Sequence, residues 1–132
     1  MSKTFQLDIV TPTQVISIGQ VEYLRAPTKD GLFGIKSGHA PATITLDIGE
    51  IKITQNGKNS FYATNGGFAD INSEGTLLLV ETIESAASID ETRAQKAVKR
   101  AKSYLKDSSN DIHRAQTALN RAKNRLKISG KL

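Results

Sequence analysis

The chain has 132 residues, a net charge of +5 and no cysteine. That length allows one modest core, or a small domain with a helical appendage, and the lack of cysteine excludes disulfide bonds and thiolate metal sites. The charge is uneven, because residues 1–88 carry 6 Lys and Arg against 9 Asp and Glu, whereas residues 89–132 carry 12 against 4. We therefore predict two parts, residues 1–88 and residues 89–132, with net charges of −3 and +8.

Alternating apolar and polar residues predict β-strands up to about residue 83. Phe5, Leu7 and Ile9 follow one another with period two, and turn residues recur along the same part of the chain. Asn56 and Gly57 give the clearest turn signal, because this pair tolerates the positive φ angles of a type I′ hairpin. We expect eight to ten short antiparallel strands folded as two sheets.

A helical pattern replaces the strand pattern at Ser88. Ser88 and Glu91 have the spacing of a capping box, which predicts a helix from Ile89. The Asp-Ser-Ser-Asn run at residues 107–110 predicts a turn to a second helix. Apolar residues at spacings of three and four form one seam on each helix, namely Ala94, Val98, Ala101 and Leu105 on the first and Ile112, Ala115, Leu119, Ala122 and Leu126 on the second.

The two seams are narrow and rich in alanine. They bury little apolar area, so we expect the helical hairpin to be held by roughly a few kcal/mol before the entropy of ordering is subtracted. Detaching or straightening the hairpin would then be thermally accessible. This is the property of a switch, and equally of a helix pair that is simply weak.

Signatures of catalysis, metal binding and membrane insertion are missing. Residues 34–38 place their serine one position too late for a nucleophile elbow, and residues 57–59 lack parts of a phosphate loop. His39 and His113 fall in different parts of the chain, so no zinc set is expected. The longest aliphatic run is residues 77–80, and the first twenty residues alternate apolar and polar side chains. We therefore expect neither a membrane span nor a signal peptide.

Arginines recur on one face of each predicted helix. Guanidinium forks suit phosphate oxygens, so a folded hairpin could surround one triphosphate, or the same residues could form salt bridges within the hairpin. A free-standing basic regulator that binds nucleic acid is the competing interpretation, but Tyr104 is the only aromatic residue of this part. The residues concerned are Asp90, Arg93 and Arg100 on the first helix and Arg114, Arg121 and Arg125 on the second.

Five short motifs together resemble one protein family. They are IVTP at residues 9–12, DGLFGI at 30–35, GHAP at 38–41, GGF at 66–68 and IDETRA at 89–94. In this order and spacing they closely resemble the epsilon subunits of F-type ATP synthases, and the match runs from end to end. The resemblance implies a ten-stranded antiparallel β-sandwich followed by an antiparallel α-helical hairpin, in a rotor subunit that is not an enzyme.

The partners that the resemblance implies are other subunits of the synthase. The sandwich would bind the gamma subunit and the ring of c subunits, and the extended hairpin would reach the alpha and beta subunits and inhibit ATP hydrolysis. No nucleic acid is implied as a partner, and the membrane would be reached only through the complex, at the cytoplasmic face of the bacterial inner membrane. We expect Lys29, Asp30, Leu32 and His39 at the rotor interface, with Leu32 where many members have a glutamate that faces the c-ring.

The resemblance also implies an ATP site in the folded hairpin. Some bacterial members bind ATP through an Ile/Leu-Asp-x-x-Arg-Ala motif, an upstream glutamate and arginines of the second helix. ATP is therefore expected as a regulatory ligand, and no cofactor is expected to be required. The corresponding residues here are Glu84, Ile89, Asp90, Arg93, Ala94, Arg121 and Arg125.

Overall fold

A computed structural model describes residues 3–106 and 111–130. In this part the chain forms ten strands, then a short 3-10 helix at Ala86–Ser88, then two α-helices. The strands are β1 (Phe5–Val10), β2 (Val15–Val21), β3 (Tyr23–Thr28), β4 (Gly31–Ile35), β5 (Ala42–Leu46), β6 (Gly49–Gln55), β7 (Lys58–Thr64), β8 (Gly67–Asn72), β9 (Gly75–Val80) and β10 (Ile83–Ser85). The helices are α1 (Glu91–Lys106) and α2 (Ile112–Ser129).

The strands form two five-stranded sheets. The first sheet has the order β2-β1-β9-β8-β5, and the second has the order β10-β7-β6-β3-β4. This confirms the predicted β-sandwich with a helical hairpin after it, with one difference: β1 and β9 pair in parallel, with Leu7 opposite Thr76 and Val10 opposite Leu79. Side-chain alternation predicts which face of a strand is buried, but it carries no information about the direction of a partner that lies far along the chain.

The main core lies between the two sheets. Its largest members are fully or almost fully buried, and they come from inward positions that alternate with more exposed residues along each strand. All of its members belong to the sandwich, so the two sheets enclose a core without help from the helices. The largest are Leu7, Ile9, Val21, Leu24, Ile35, Ile51, Ile53 and Leu78.

The turn between β6 and β7 has the predicted conformation. Asn56 and Gly57 have φ angles of 54° and 77°, and they connect Gln55 to its partner Lys58. Two central residues with positive φ define a type I′ hairpin, which matches the right-handed twist of the strands.

Helix α1 begins later than the sequence predicts, so the capping box at Ser88 is wrong. The hydroxyl of Ser88 donates to the carbonyl of Ser85 at 2.9 Å inside the 3-10 helix. Asp90 caps α1 instead, because its Oδ1 accepts from the backbone N–H of Arg93 at 3.1 Å. Asp111 caps α2 in the same way. The turn predicted at residues 107–110 lies outside the described residues.

Candidate functional site

The two helices pack along the predicted seams, except at one end. Ala94, Val98 and Ala101 of α1 are buried, as are Ala115, Leu119 and Ala122 of α2, while Leu105 and Leu126 are half-buried. The placement of Ile112 in the seam is wrong, because its side chain is 63% exposed. Ile112 is the first residue of α2, so it lies at the end of this helix opposite Ile128.

The other end of the hairpin docks on the second sheet. Ile128, near the end of α2, is 0% exposed and packs in one cluster with Ala63 of β7, Ala86, Ile89 and Ala94. The side chain of Asn124 donates from Nδ2 to the carbonyl of Gly49 at 2.8 Å. The last turns of α2 therefore hold the hairpin on the sandwich, a role that the sequence seam did not predict for Ile128.

Two of the predicted ATP residues meet at this docked end. Arg125 of α2 donates from Nε to Glu84 Oε1 at 2.7 Å and from Nη2 to Glu84 Oε2 at 2.9 Å, which is a bidentate pair. Glu84 lies on β10, the edge strand beside β7. The pair therefore joins the hairpin to the sandwich, with Arg125 and Glu84 still 31% and 35% exposed.

The predicted ATP motif surrounds the start of α1. Ile89 and Ala94 are buried in the cluster that contains Ile128, so they are part of the docked end. Asp90 is exposed and caps the helix through Oδ1, and Arg93 is exposed in the first turn. On α2, the exposed Arg121 comes one helical turn before Arg125. Carboxylate and guanidinium groups thus occupy the surface around a small apolar cluster.

The arginines that the sequence groups together are divided between two places. A groove of about 560 Å³ lies between the second half of α1 and the first half of α2, and alanines form much of its wall. Arg100 of α1 and Arg114 of α2 line it, together with Tyr104 and Asp111. Arg125 is bound to Glu84 at the docked end instead. The structure therefore does not gather the six residues of the predicted pocket around one cavity.

The predicted rotor-interface residues lie at the two ends of β4. Lys29 and Asp30 form the exposed turn between β3 and β4, and Leu32 beside it is 61% exposed. His39 follows the far end of β4, with its ring edge-on to Phe33 at a centroid distance of 5.4 Å. Its Nδ1 is 2.7 Å from the carbonyl oxygen of Ala40. Lys29, Asp30 and Leu32 therefore lie at the start of β4, and His39 follows the end of that strand.

An apolar row on the first sheet was missed by the sequence analysis. Val15, Val10, Leu79 and Phe68 are successive partners across β2, β1, β9 and β8. Directly paired residues point to the same face, and the neighbours of these residues in the strands are buried on the other one. Phe68 is 50% exposed, and Val15 and Leu79 are also exposed.

This apolar row lies at the same end of the sandwich as the turn between β3 and β4. Thr45 of β5 is the next partner in the row, opposite Phe68. Asp47, just after β5, donates its backbone N–H to the carbonyl of Pro27 at 2.9 Å, so the ends of β5 and β3 lie side by side. A contiguous exposed apolar row next to a polar turn is typical of a protein-binding surface.

Family comparison decides the relationship of the chain. The family model described as the beta-sandwich domain of the ATP synthase delta/epsilon chain matches residues 4–86, and the model of the long alpha-helix domain of the same chain matches residues 88–130. The chain belongs to the ATP synthase delta/epsilon family. The resemblance found in the motifs is thereby confirmed.

Curated relatives of this ATP synthase family member are epsilon chains. The ATP synthase epsilon chain of Desulforamulus reducens is 40% identical over 115 residues, covering 86% of this chain and 87% of the relative. That of Koribacter versatilis is 39% identical over 108 residues, covering 82% and 76%. An epsilon chain is a non-catalytic accessory subunit, so the prediction that the chain is not an enzyme is confirmed by its family.

Solved structures share the fold of this epsilon-family chain. A chain of the Euglena gracilis mitochondrial ATP synthase, in a structure of OSCP, F1 and the c-ring, has a TM-score of 0.82 at 21% identity, covering 92% of this chain and 78% of that one. A chain of the Tetrahymena thermophila mitochondrial ATP synthase, in a structure of the central stalk and c-ring, has a TM-score of 0.66 at 13% identity, covering 97% and 98%.

The described residues contain neither a membrane-spanning helix nor a metal-binding cluster. Within residues 3–106 and 111–130, neither α-helix has the length and apolar character that a bilayer span requires. The same residues contain no group of three or more His, Asp or Glu side chains placed to hold a metal ion.

Proposed function

We propose that this chain is a central-stalk rotor subunit that couples the gamma subunit to the c-ring during proton-driven ATP synthesis, and that its hairpin regulates ATP hydrolysis. The observation that carries the proposal is the division of the fold. A sandwich with its own core carries the apolar row, and the described contacts that attach the hairpin to it include a buried cluster, an amide hydrogen bond and an ion pair. A sandwich that binds partners and a hairpin that can detach from it fit a rotor subunit with a regulatory C-terminal segment.

The sandwich supplies the proposed rotor contacts. The apolar row offers a surface that fits an apolar face of the gamma subunit. Beside it, Lys29 or Asp30 of the turn offers a polar contact with the c-ring, and Leu32 adds an apolar one. Association with the membrane would then be peripheral and made by the complex, at the cytoplasmic face of the bacterial inner membrane. His39, at the other end of β4, would touch a different part of the rotor from the three turn residues.

A binding experiment tests the gamma contact. Phe68→Ser should weaken capture by purified gamma subunit by about 2 kcal/mol, roughly thirtyfold, because an exposed aromatic ring at the centre of an interface often dominates its energy. Ile112→Ser changes an apolar residue on the hairpin that is 63% exposed, against 50% for Phe68, and serves as the matched control. Equal capture of both variants would exclude the apolar row as the gamma surface.

We further propose that the folded hairpin binds ATP as a regulatory ligand. Three exposed or half-exposed arginines, Arg93, Arg121 and Arg125, lie on the turns around the docked end and suit phosphate oxygens. Asp90 uses Oδ1 to cap α1, and its second carboxylate oxygen can accept a hydrogen bond from a ribose hydroxyl or the adenine amine. Ile89 and Ala94, in the apolar cluster beneath these charged groups, would supply apolar contact to the nucleotide.

Calorimetry of the isolated chain tests ATP binding. Arg93→Ala should weaken binding by about 1.5–3 kcal/mol, roughly ten- to a hundredfold, because a charge-assisted contact with a phosphate is lost. Lys96→Ala removes an exposed cation one turn further along α1 and should change the dissociation constant less than about twofold. Equal effects of the two substitutions would mean that only general charge attracts the nucleotide.

Inhibition of hydrolysis is proposed for the extended hairpin. When α1 and α2 leave the sandwich, their cations would enter a groove between the alpha and beta subunits, where acidic side chains would hold them. ATP bound to the folded form would oppose this, since a ligand shifts an equilibrium only by its difference in affinity between the two states. Lys123 and Lys127 lie on α2 and are not among the proposed ATP residues. Replacing both with alanine should therefore relieve inhibition partly without changing ATP affinity.

A further inference from the structure

Glu84 and Arg125 are both proposed ATP residues, yet they are bound to each other. The carboxylate takes the Nε and Nη2 side of the guanidinium, with donor–acceptor distances of 2.7 and 2.9 Å. A phosphate group would use the same kind of paired N–H donors in the same geometry. Any phosphate that approaches Arg125 therefore meets a guanidinium that already has an anionic partner.

The position of the Glu84–Arg125 ion pair also indicates its role in the absence of nucleotide. Glu84 lies on the edge strand β10, next to Ala63 of β7. Arg125 lies on α2, one residue after Asn124 and three before Ile128, both of which contact the sandwich. The pair thus closes the docked end of the hairpin when nothing is bound there.

We propose that Glu84 is an internal competitor for nucleotide phosphate. Its carboxylate holds Arg125 and keeps the hairpin docked without nucleotide, and binding of ATP exchanges this carboxylate for phosphate at Arg125. The inference rests on the proposed ATP site, and it assigns Glu84 a role opposite to that of a nucleotide contact: Glu84 lowers ATP affinity.

The test uses the full chain, ATP titrated by calorimetry, and the variant Glu84→Gln. Binding to the docked form should become about three- to tenfold tighter, because a half-exposed ion pair no longer has to be exchanged. Glu81→Gln is the matched control: it removes the same charge from an exposed residue of the turn before β10, and should change binding less than about twofold. The comparison separates competition at Arg125 from the general gain of one positive charge.

Docking of the hairpin must be measured in parallel, because loss of the pair also lowers the docked fraction. The chain has no cysteine, so Ser60→Cys and Gln95→Cys, exposed on β7 and α1, give two unique sites for spin labels. The distance distribution without ATP gives the docked fraction for each variant, and the apparent dissociation constant multiplied by that fraction gives the constant of the docked form. Glu84→Gln should lower the docked fraction, and Glu81→Gln should leave it unchanged.

A double-mutant cycle shows whether Glu84 acts through Arg125. In the background of Arg125→Gln, Glu84→Gln should change neither the corrected ATP affinity nor the docked fraction. Weaker binding by Glu84→Gln alone would show that Glu84 contacts the nucleotide and would overturn the inference, as would unchanged binding. The inference would also be overturned if Glu84→Gln still tightened ATP binding in the Arg125→Gln background. If the unmodified chain binds no ATP, the proposed ATP site fails together with the competitor role of Glu84. The docked fractions of the variants then show whether the Glu84–Arg125 pair holds the hairpin on the sandwich.

Discussion

Ile128→Ala tests which contact holds the hairpin to the sandwich. Ile128 is 0% exposed, and three of the side chains that cluster with it are alanines, which cannot collapse far into the space that the substitution leaves. Truncation of a fully buried isoleucine to alanine costs about 2–5 kcal/mol. Because the cluster around Ile128 is separate from the core between the sheets, we expect this loss to fall on the hairpin and to leave the sandwich unchanged.

Native-state hydrogen exchange measures this difference by region. In Ile128→Ala, amide protection in α1 and α2 should fall by about thirtyfold or more, the equivalent of 2 kcal/mol, while protection in β8 and β9 stays the same. Ile112→Ala is the matched control, because it makes the same change in the same helix at an exposed site, and should cost less than about 0.5 kcal/mol. The reasoning is refuted if the two variants behave alike, or if β8 and β9 lose as much protection as the helices.

Three further predictions concern the fold. A chain cut after Ser88 should unfold cooperatively in urea, as followed by far-ultraviolet circular dichroism, because the core between the sheets is complete without the helices; a broad transition would contradict this. Asp90→Ala should destabilise the hairpin by about 1 kcal/mol, measured by exchange in α1, because the N-cap of α1 is lost. Gly67→Ala should cost at least about 2 kcal/mol in urea unfolding, because its Cβ would lie 2.0 Å from the carbonyl oxygen of Leu79, whereas Gly130→Ala should be nearly neutral.

Local patterns in the sequence predict the elements of this fold well. Period-two alternation and the Asn56-Gly57 pair predict the strands and one turn, and the spacing of three and four predicts most of the helix seam. These signals succeed because each depends on residues close together in the chain. The start of α1 was misplaced because Ser88 and Asp90 are both good caps, and the preceding 3-10 turn decides between them.

The surfaces that matter for function depend on contacts that the sequence does not reveal. The apolar row joins Val10, Val15, Phe68 and Leu79 from four strands, and no window of the sequence brings them together. Ile128 falls outside the spacing of the α2 seam, because it packs in the cluster that joins the hairpin to the sandwich. The family motif indicates Glu84 and Arg125 as neighbours of a ligand, but only the structure shows that they bind each other.

Hydrolysis by the assembled synthase shows whether the hairpin regulates the enzyme. The assembly would be prepared with the full chain and with residues 89–132 deleted, after confirming that both forms are retained, and ATP hydrolysis would be measured across ATP concentrations. We expect the deletion to raise hydrolysis most at low ATP, where the folded hairpin is not stabilised by nucleotide, and we expect the difference to diminish as ATP rises. Equal hydrolysis by the two assemblies at all ATP concentrations would contradict a regulatory role for the hairpin.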